Sequence, residues 1–208
     1  MTHEEKILRI EKLRKKIAVC ERCRLHKTRT HTVPGEGSVE AQIMFIGEAP
    51  GRNEDLQGKP FVGRAGEVFD RLLSSVGLTR DEIYLCNILK CRPPENRAPL
   101  NDEVQACVGS LDIQIKVINP KVIATLGKYA TTYIFEKFSL TQSNISSVHG
   151  KVLDVETPFG PKKIVPLFHP AVATYDPTKI NILLKDFEIF KSLLQSFIHQ
   201  EYGTGVTD

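Results

Sequence analysis

No apolar run in the 208 residues approaches the roughly 20 that a membrane span requires. Residues 1–16, MTHEEKILRIEKLRKK, lack the apolar core of a secretory signal, so the chain is expected in the cytoplasm, without membrane attachment. There is no internal repeat and no low-complexity tract. The phosphate loop G-x4-G-K-[ST] is missing, and so is the dinucleotide fingerprint G-x-G-x-x-G. Cysteine is sparse, with five residues, and in an intracellular chain these are expected as thiols or metal ligands rather than disulfides. Net charge is only +3. What is present is ordinary globular composition, 41% hydrophobic and 25% charged, which excludes wholesale disorder. A chain of this length buries roughly 70% of its unfolded surface and needs no disulfide or metal merely to fold.

The small net charge hides an uneven distribution. Residues 1–30 carry ten Lys and Arg against four Asp and Glu, while the remainder is slightly acidic. A basic front end suits an anionic partner such as nucleic acid; a solvated helix face explains the same charges equally well.

Apolar spacing predicts an amphipathic helix over 3–19, built on Ile7, Leu8, Ile10, Leu13 and Ile17. Further helices are expected over 66–76, 102–118 with Asn101 as N-cap, 128–138 and 179–199. Apolar runs at 42–47, 82–88 and 121–126 read as buried strands, and 151–156 and 162–168 as two more flanking a turn. Alternating strands and helices predict an α/β fold with a mainly parallel sheet covered on both faces. Such sheets bind ligands beyond the carboxyl ends of their strands. That rule selects the loops beginning at Glu48, Asn87, Gly127 and His169.

Cys20 and Cys23 form a C-x2-C pair, a spacing that lets two thiolates meet one metal or cluster. Cys91 sits in the Pro-rich loop KCRPP and Cys107 in a predicted helix, whereas Cys86 lies inside an apolar strand and reads as a small buried hydrophobe. The remaining four suffice for zinc or an iron–sulfur cluster, and spacing alone leaves both open, beside unligated thiols. Such a site would pin the basic N-terminal helix to the loop after the second strand.

Four features at the strand ends and loops have chemical potential. The glycines of GEAPG, residues 47–51, permit close approach of a ligand to exposed backbone N–H groups. Phe61, in the glycine-rich 55–66 stretch, reads either as a base-stacking platform or as a core side chain. The Asn87 amide offers an acceptor and donors that match the N3–H and O4 edge of uracil, or else simply satisfies a turn. His169 precedes a proline, which holds its backbone extended and fixes the ring's direction; it can donate to an oxygen that becomes negative as a bond breaks.

Taken together, GEAPG, GKPFVGRAG at 58–66, the strand ending at Asn87 before KCRPP, the cysteine set and FHPA at 168–171 resemble the family-4 uracil-DNA glycosylases. The resemblance runs in order from Cys20 to about Ala173. It implies a three-layer α/β/α sandwich around a four-stranded mainly parallel sheet. One domain is expected over 1–208, with segment 1–30 tied to it by a structural [4Fe–4S] cluster on Cys20, Cys23, Cys91 and Cys107. It implies hydrolysis of the N-glycosidic bond of uracil flipped out of DNA, leaving an abasic site. Phe61 would stack on the base, Asn87 would read its N3/O4 edge, and His169 would stabilise the departing anion at O2. Backbone N–H groups at Glu48 and Ala49 would face the uracil, and Glu48 would place water or contact the sugar. Glu54 would block the 5-methyl of thymine, and the loop through Ala173 and Tyr175 would probe the duplex as a wedge. In the wider superfamily an aspartate two residues after the motif's first glycine helps position water. Here that residue is Ala49, which leaves the general base unassigned, with Glu48 first in line.

The expected partners are uracil-containing DNA, single- or double-stranded, and a sliding clamp, with the chain acting as a monomer. Two rivals use the same residues differently: a non-catalytic iron–sulfur nucleic-acid-binding module, and a zinc-stabilised nucleotide hydrolase.

Overall fold

A computed structural model describes the backbone of residues 1–202 and side chains to 197; His199 and the tail 203–208 of the expected domain lie outside the described residues. The chain opens with α1 (His3–Ala18), whose capping box pairs Thr2 and Glu5 reciprocally. Its buried stripe is Ile10, Leu13 and Ile17, an i, i+3, i+7 row; Ile7 and Leu8, expected in that stripe, face solvent instead.

Six strands follow: β1 (Glu36–Gly37), β2 (Ile43–Gly47), β3 (Ile83–Asn87), β4 (Val122–Leu126), β5 (Leu153–Val155) and β6 (Lys162–Leu167). They form one sheet in the order β1-β3-β2-β4-β6-β5. The four central strands are mutually parallel, as expected; the short β1 and β5 add antiparallel edges. Every residue of β2, β3 and β4 is buried, as a sheet covered on both faces demands. Alternation divides their side chains between two cores. Phe45 and Leu85 face one way, against Phe69, Phe187 and Phe190; Met44, Ile46 and Tyr84 face the other, against Ile115 and Ile134.

The first face is covered by α3 (Arg64–Ser75), α8 (Ile180–Phe187) and α9 (Ile189–Tyr202); the second by α1, α4 (Asn101–Ile118) and α5 (Lys128–Lys137). Three shorter helices sit in loops: α2 (Arg52–Gln57), α6 (Ile145–Val148) and α7 (Val172–Tyr175). Two further expectations are corrected. The 179–199 helix is two helices, joined where the Glu188 N–H meets the Lys185 carbonyl and the Lys191 N–H meets the Glu188 carbonyl. These three-residue bonds tighten the turn and align Phe187 with Phe190 toward the sheet. And α4 starts at Asn101 with Leu100 as its N-cap; the buried Glu103 carboxylate accepts the Leu100 N–H at 3.0 Å. Among the described residues no helix is long and apolar enough to cross a membrane.

Candidate active site

At the carboxyl ends of the central strands lies a cavity of about 400 Å³. Glu48, Asn87 and His169, from the ends of β2, β3 and β6, all line it, together with Ala49, Glu54 and Phe61. Gly127, after β4, stands behind His169: a side-chain carbon on it would lie 3.1 Å from His169 Cβ. Pairing between β2 and β3 continues past the strand ends, with Ile88 and Leu89 donating to the carbonyls of Gly47 and Glu48. The two loops thus leave the sheet in fixed register.

Asn87 is 2% exposed, and its Oδ1 is a buried side-chain oxygen with no hydrogen-bond partner among the described residues. An orphaned buried acceptor costs about 1–3 kcal/mol, so its retention here asks for a donor from outside the chain. The amide is held by close packing: a Cβ on Gly47 would sit 2.3 Å from Oδ1 and 3.0 Å from the Phe61 ring. Only glycine lets Asn87 and Phe61 meet at this point.

Phe61 packs into the core with its ring tilted at 42° against Phe69, while the same ring lies 5.6 Å from that of His169 at 21°, a stacked pair. It is therefore both core residue and cavity wall. Its φ of +53° is strained for a phenylalanine, at about 1–3 kcal/mol. Glu54 braces the same loop: its Oε1 accepts the Val62 and Gly63 N–H groups, each at 2.9 Å, at the start of α3.

His169 Nδ1 accepts the Ala171 N–H at 3.1 Å, so in the neutral ring the hydrogen is on Nε2. Burial pushes its pKa down to about 4, against a weaker opposing pull from Glu54. The ring is thus a neutral donor at physiological pH. Burial also raises the Glu48 carboxyl above the usual carboxylate range. No hydrogen bond or ion pair engages that carboxyl among the described residues.

Sequence reasoning missed a further wall. Pro93, Asn96 and Arg97, from the loop between Cys91 and α4, also line the cavity. Arg97 is fixed by a two-pronged pair with the fully buried Glu103, at 2.9 and 2.6 Å. The doubled proline at 93–94 was the one signal of a shaped loop there. At the mouth, Tyr175 is 86% exposed. Ala173, expected beside it in the wedge, is buried against the core, so Tyr175 alone of the two faces outward.

Cys20, Cys23, Cys91 and Cys107 line a second, small hollow, with Ile17, Leu25 and Leu89 as apolar walls and Arg22, Arg29 and Lys90 beside them. Cys86 is fully buried in β3 and stays outside it, as expected. The sulfurs already receive donors: Lys90 N–H reaches Cys107 and Arg29 Nη1 reaches Cys91, each at 3.3 Å. Burial works against the Cys20 thiolate, but Arg22 and Arg29 hold that thiol below its usual range. Among the described residues no three His, Cys, Asp or Glu side chains are grouped to hold a metal ion.

Known proteins resemble the chain closely. Residues 34–197 match the family model described as the uracil DNA glycosylase superfamily. A type-4 uracil-DNA glycosylase of Sulfurisphaera tokodaii is 44% identical over 187 residues, 88% of this chain and 84% of the relative. One from Archaeoglobus fulgidus is 48% identical over 164 residues, 78% and 82% of the two chains. One from Saccharolobus solfataricus is 46% identical over 179 residues, 85% and 82%. None of this supports the non-catalytic module. The crevice at the strand ends, its four converging residues and these likenesses agree: the chain belongs to the uracil-DNA glycosylase superfamily, among the type-4 uracil-DNA glycosylases.

Proposed function

We propose that Asn87, Phe61, His169 and Glu48 divide between them the work of a uracil-DNA glycosylase, the DNA-repair hydrolase that cuts the N-glycosidic bond of uracil. The observation that carries this reading is the orphaned Asn87 Oδ1. The N3–H of a uracil flipped into the cavity supplies the missing donor, and the amide NH2 donates to O4. Cytosine presents an unprotonated N3 and an amino group at C4, so acceptor meets acceptor and donor meets donor. Buried mismatches of this kind discriminate by about 10⁴–10⁵. Phe61 stacks on the base, worth about 1–3 kcal/mol whatever the base's identity.

As the glycosidic bond breaks, the electron pair leaves with uracil N1 and negative charge spreads to O2. His169 donates Nε2–H to that oxygen. A neutral donor suits this task, because it needs no proton before the charge develops, and a dry, fixed dipole is worth more than one in water. Backbone N–H groups at Glu48 and Ala49 add to the same field. Glu48 positions the water that adds to the sugar's anomeric carbon. With an oxocarbenium-like sugar, little basicity is asked of it, so the role is positional first. Glu54 stands at the wall facing the 5-position, where a methyl group would crowd it.

The thiols of Cys20, Cys23, Cys91 and Cys107 would hold a [4Fe–4S] cluster. It would act as a structural tie between segment 1–30, the loop after β3 and α4. The four thiols around one hollow and the N–H···S donors support this reading. The basic N-terminal segment and the exposed Tyr175 suit a monomer working on DNA, single- or double-stranded. Asn87→Asp tests the reader: replacing the amide donor by an acceptor should narrow the preference for uracil over cytosine. An unchanged preference would remove Asn87 from that role.

A further inference from the structure

Arg80 lies outside the cavity, in the short turn (Arg80–Glu82) that leads into β3. Its guanidinium has five N–H donors, and the structure accounts for all five. Nε and Nη2 meet the two Asp70 oxygens on α3, at 2.6 and 3.3 Å. Nη1 meets Glu36 Oε1 on β1 at 3.1 Å. The other two donors go to backbone: Nη1 to the Pro60 carbonyl at 3.1 Å, and Nη2 to the Phe61 carbonyl at 2.5 Å. Phe61 is also the residue forced to a positive φ next to the cavity. On its other side, its carbonyl is so close to the first turn of α3 that a Cβ on Gly66 would come within 1.9 Å of the oxygen.

We propose that Arg80 is a positioning residue for base excision: it locks the peptide planes at Pro60 and Phe61 in the strained conformation that presents the Phe61 ring to the flipped base. Strained backbone persists only where its surroundings over-determine it, and here one planar fork supplies both bonds. Asp70 and Glu36 hold the fork in the plane the two carbonyls require. Lysine, with three donors on a flexible stem, cannot reproduce this geometry. The inference rests on Phe61 being the stacking platform.

A double-mutant cycle tests it, with single-turnover uracil release as the readout. Phe61→Ala should slow release about tenfold or more, the cost of one lost stack. Arg80→Lys should slow it by a comparable or smaller factor, and should leave the uracil-over-cytosine ratio unchanged, because Asn87 and not Phe61 reads base identity. In the Phe61→Ala background Arg80→Lys should add less than about twofold, because there is no ring left to misplace. If Arg80→Lys costs the same in both backgrounds, or costs nothing in the wild type, the proposal is wrong. If Phe61→Ala alone leaves release unchanged, the stacking role fails first and the proposal falls with it. Should Arg80→Lys not fold, Asp70→Asn goes through the same cycle. It loosens the fork from an exposed position and leaves both carbonyls intact.

Discussion

Replacing Asn87 by leucine should stabilise the protein and silence it at once. Leucine keeps the branch at Cγ but puts a methyl where Oδ1 now lies buried without a partner. Removing such an orphan regains about 1–3 kcal/mol. Part of that is lost again, because the new methyl must fit against Gly47 and the Phe61 ring, where space is already short. We expect a net gain of about 1 kcal/mol, a rise in melting temperature of about 2–4 °C for a chain of this size. Activity goes the other way. The flipped uracil's N3–H and O4 would be buried unpaired, which should lower kcat/KM by at least about 100-fold. Thermal unfolding followed by circular dichroism and uracil release from an oligonucleotide read the two halves separately. A variant that melts lower than the wild type would refute the claim that the oxygen is a stored cost. A variant within tenfold of wild-type activity would refute the claim that it reads the base.

His169→Ala should lower turnover about 100-fold while DNA affinity changes less than about twofold, since the imidazole's contribution grows only as charge develops; equal losses in both would sink the assignment. The same ring gives a pH signature. Its folded pKa is depressed to about 4 from an unfolded value near 6.5, so its contribution to stability is complete above about pH 6.5 and fades as pH falls toward 4. In the His169→Ala variant, stability should therefore fall less steeply than in the wild type between pH 6.5 and 4; superimposable curves would contradict the burial argument. Cys23→Ser should lose iron and melt at a lower temperature, and a variant with full iron content and an unchanged melting point would show the ligand set to be wrong.

The central strands were legible because five consecutive buried residues leave an unbroken apolar run, and the long helices because three or more turns make a period visible. The two-residue β1 and the one-turn α6 and α7 are too short to show any period. Ile7 and Leu8 carry the helical rhythm of α1 but lie where no neighbour covers them, which only the packing of α1 decides. Glu48, Asn87 and His169 stood out because each lies at the end of a strand and differs in chemistry from the run before it. Arg80 and the Arg97–Glu103 pair did not, because their importance lies in specific side-chain contacts that no pattern of residue types announces; Gly47 was read for ligand approach, not for the meeting of Asn87 and Phe61 that it allows. Glu54 shows the mixed case: a cavity residue found by motif, whose bonds to the Val62 and Gly63 amides no motif announces.

The most direct test of the account is base release from an oligonucleotide carrying a single uracil, beside matched cytosine and thymine substrates, with the wild type and Asn87→Leu assayed in parallel. Free uracil and an alkali-labile abasic site are expected from the wild type, neither from the cytosine or thymine substrate, and almost no release from the variant. Equal release of uracil and cytosine, or a variant as active as the wild type, would contradict it.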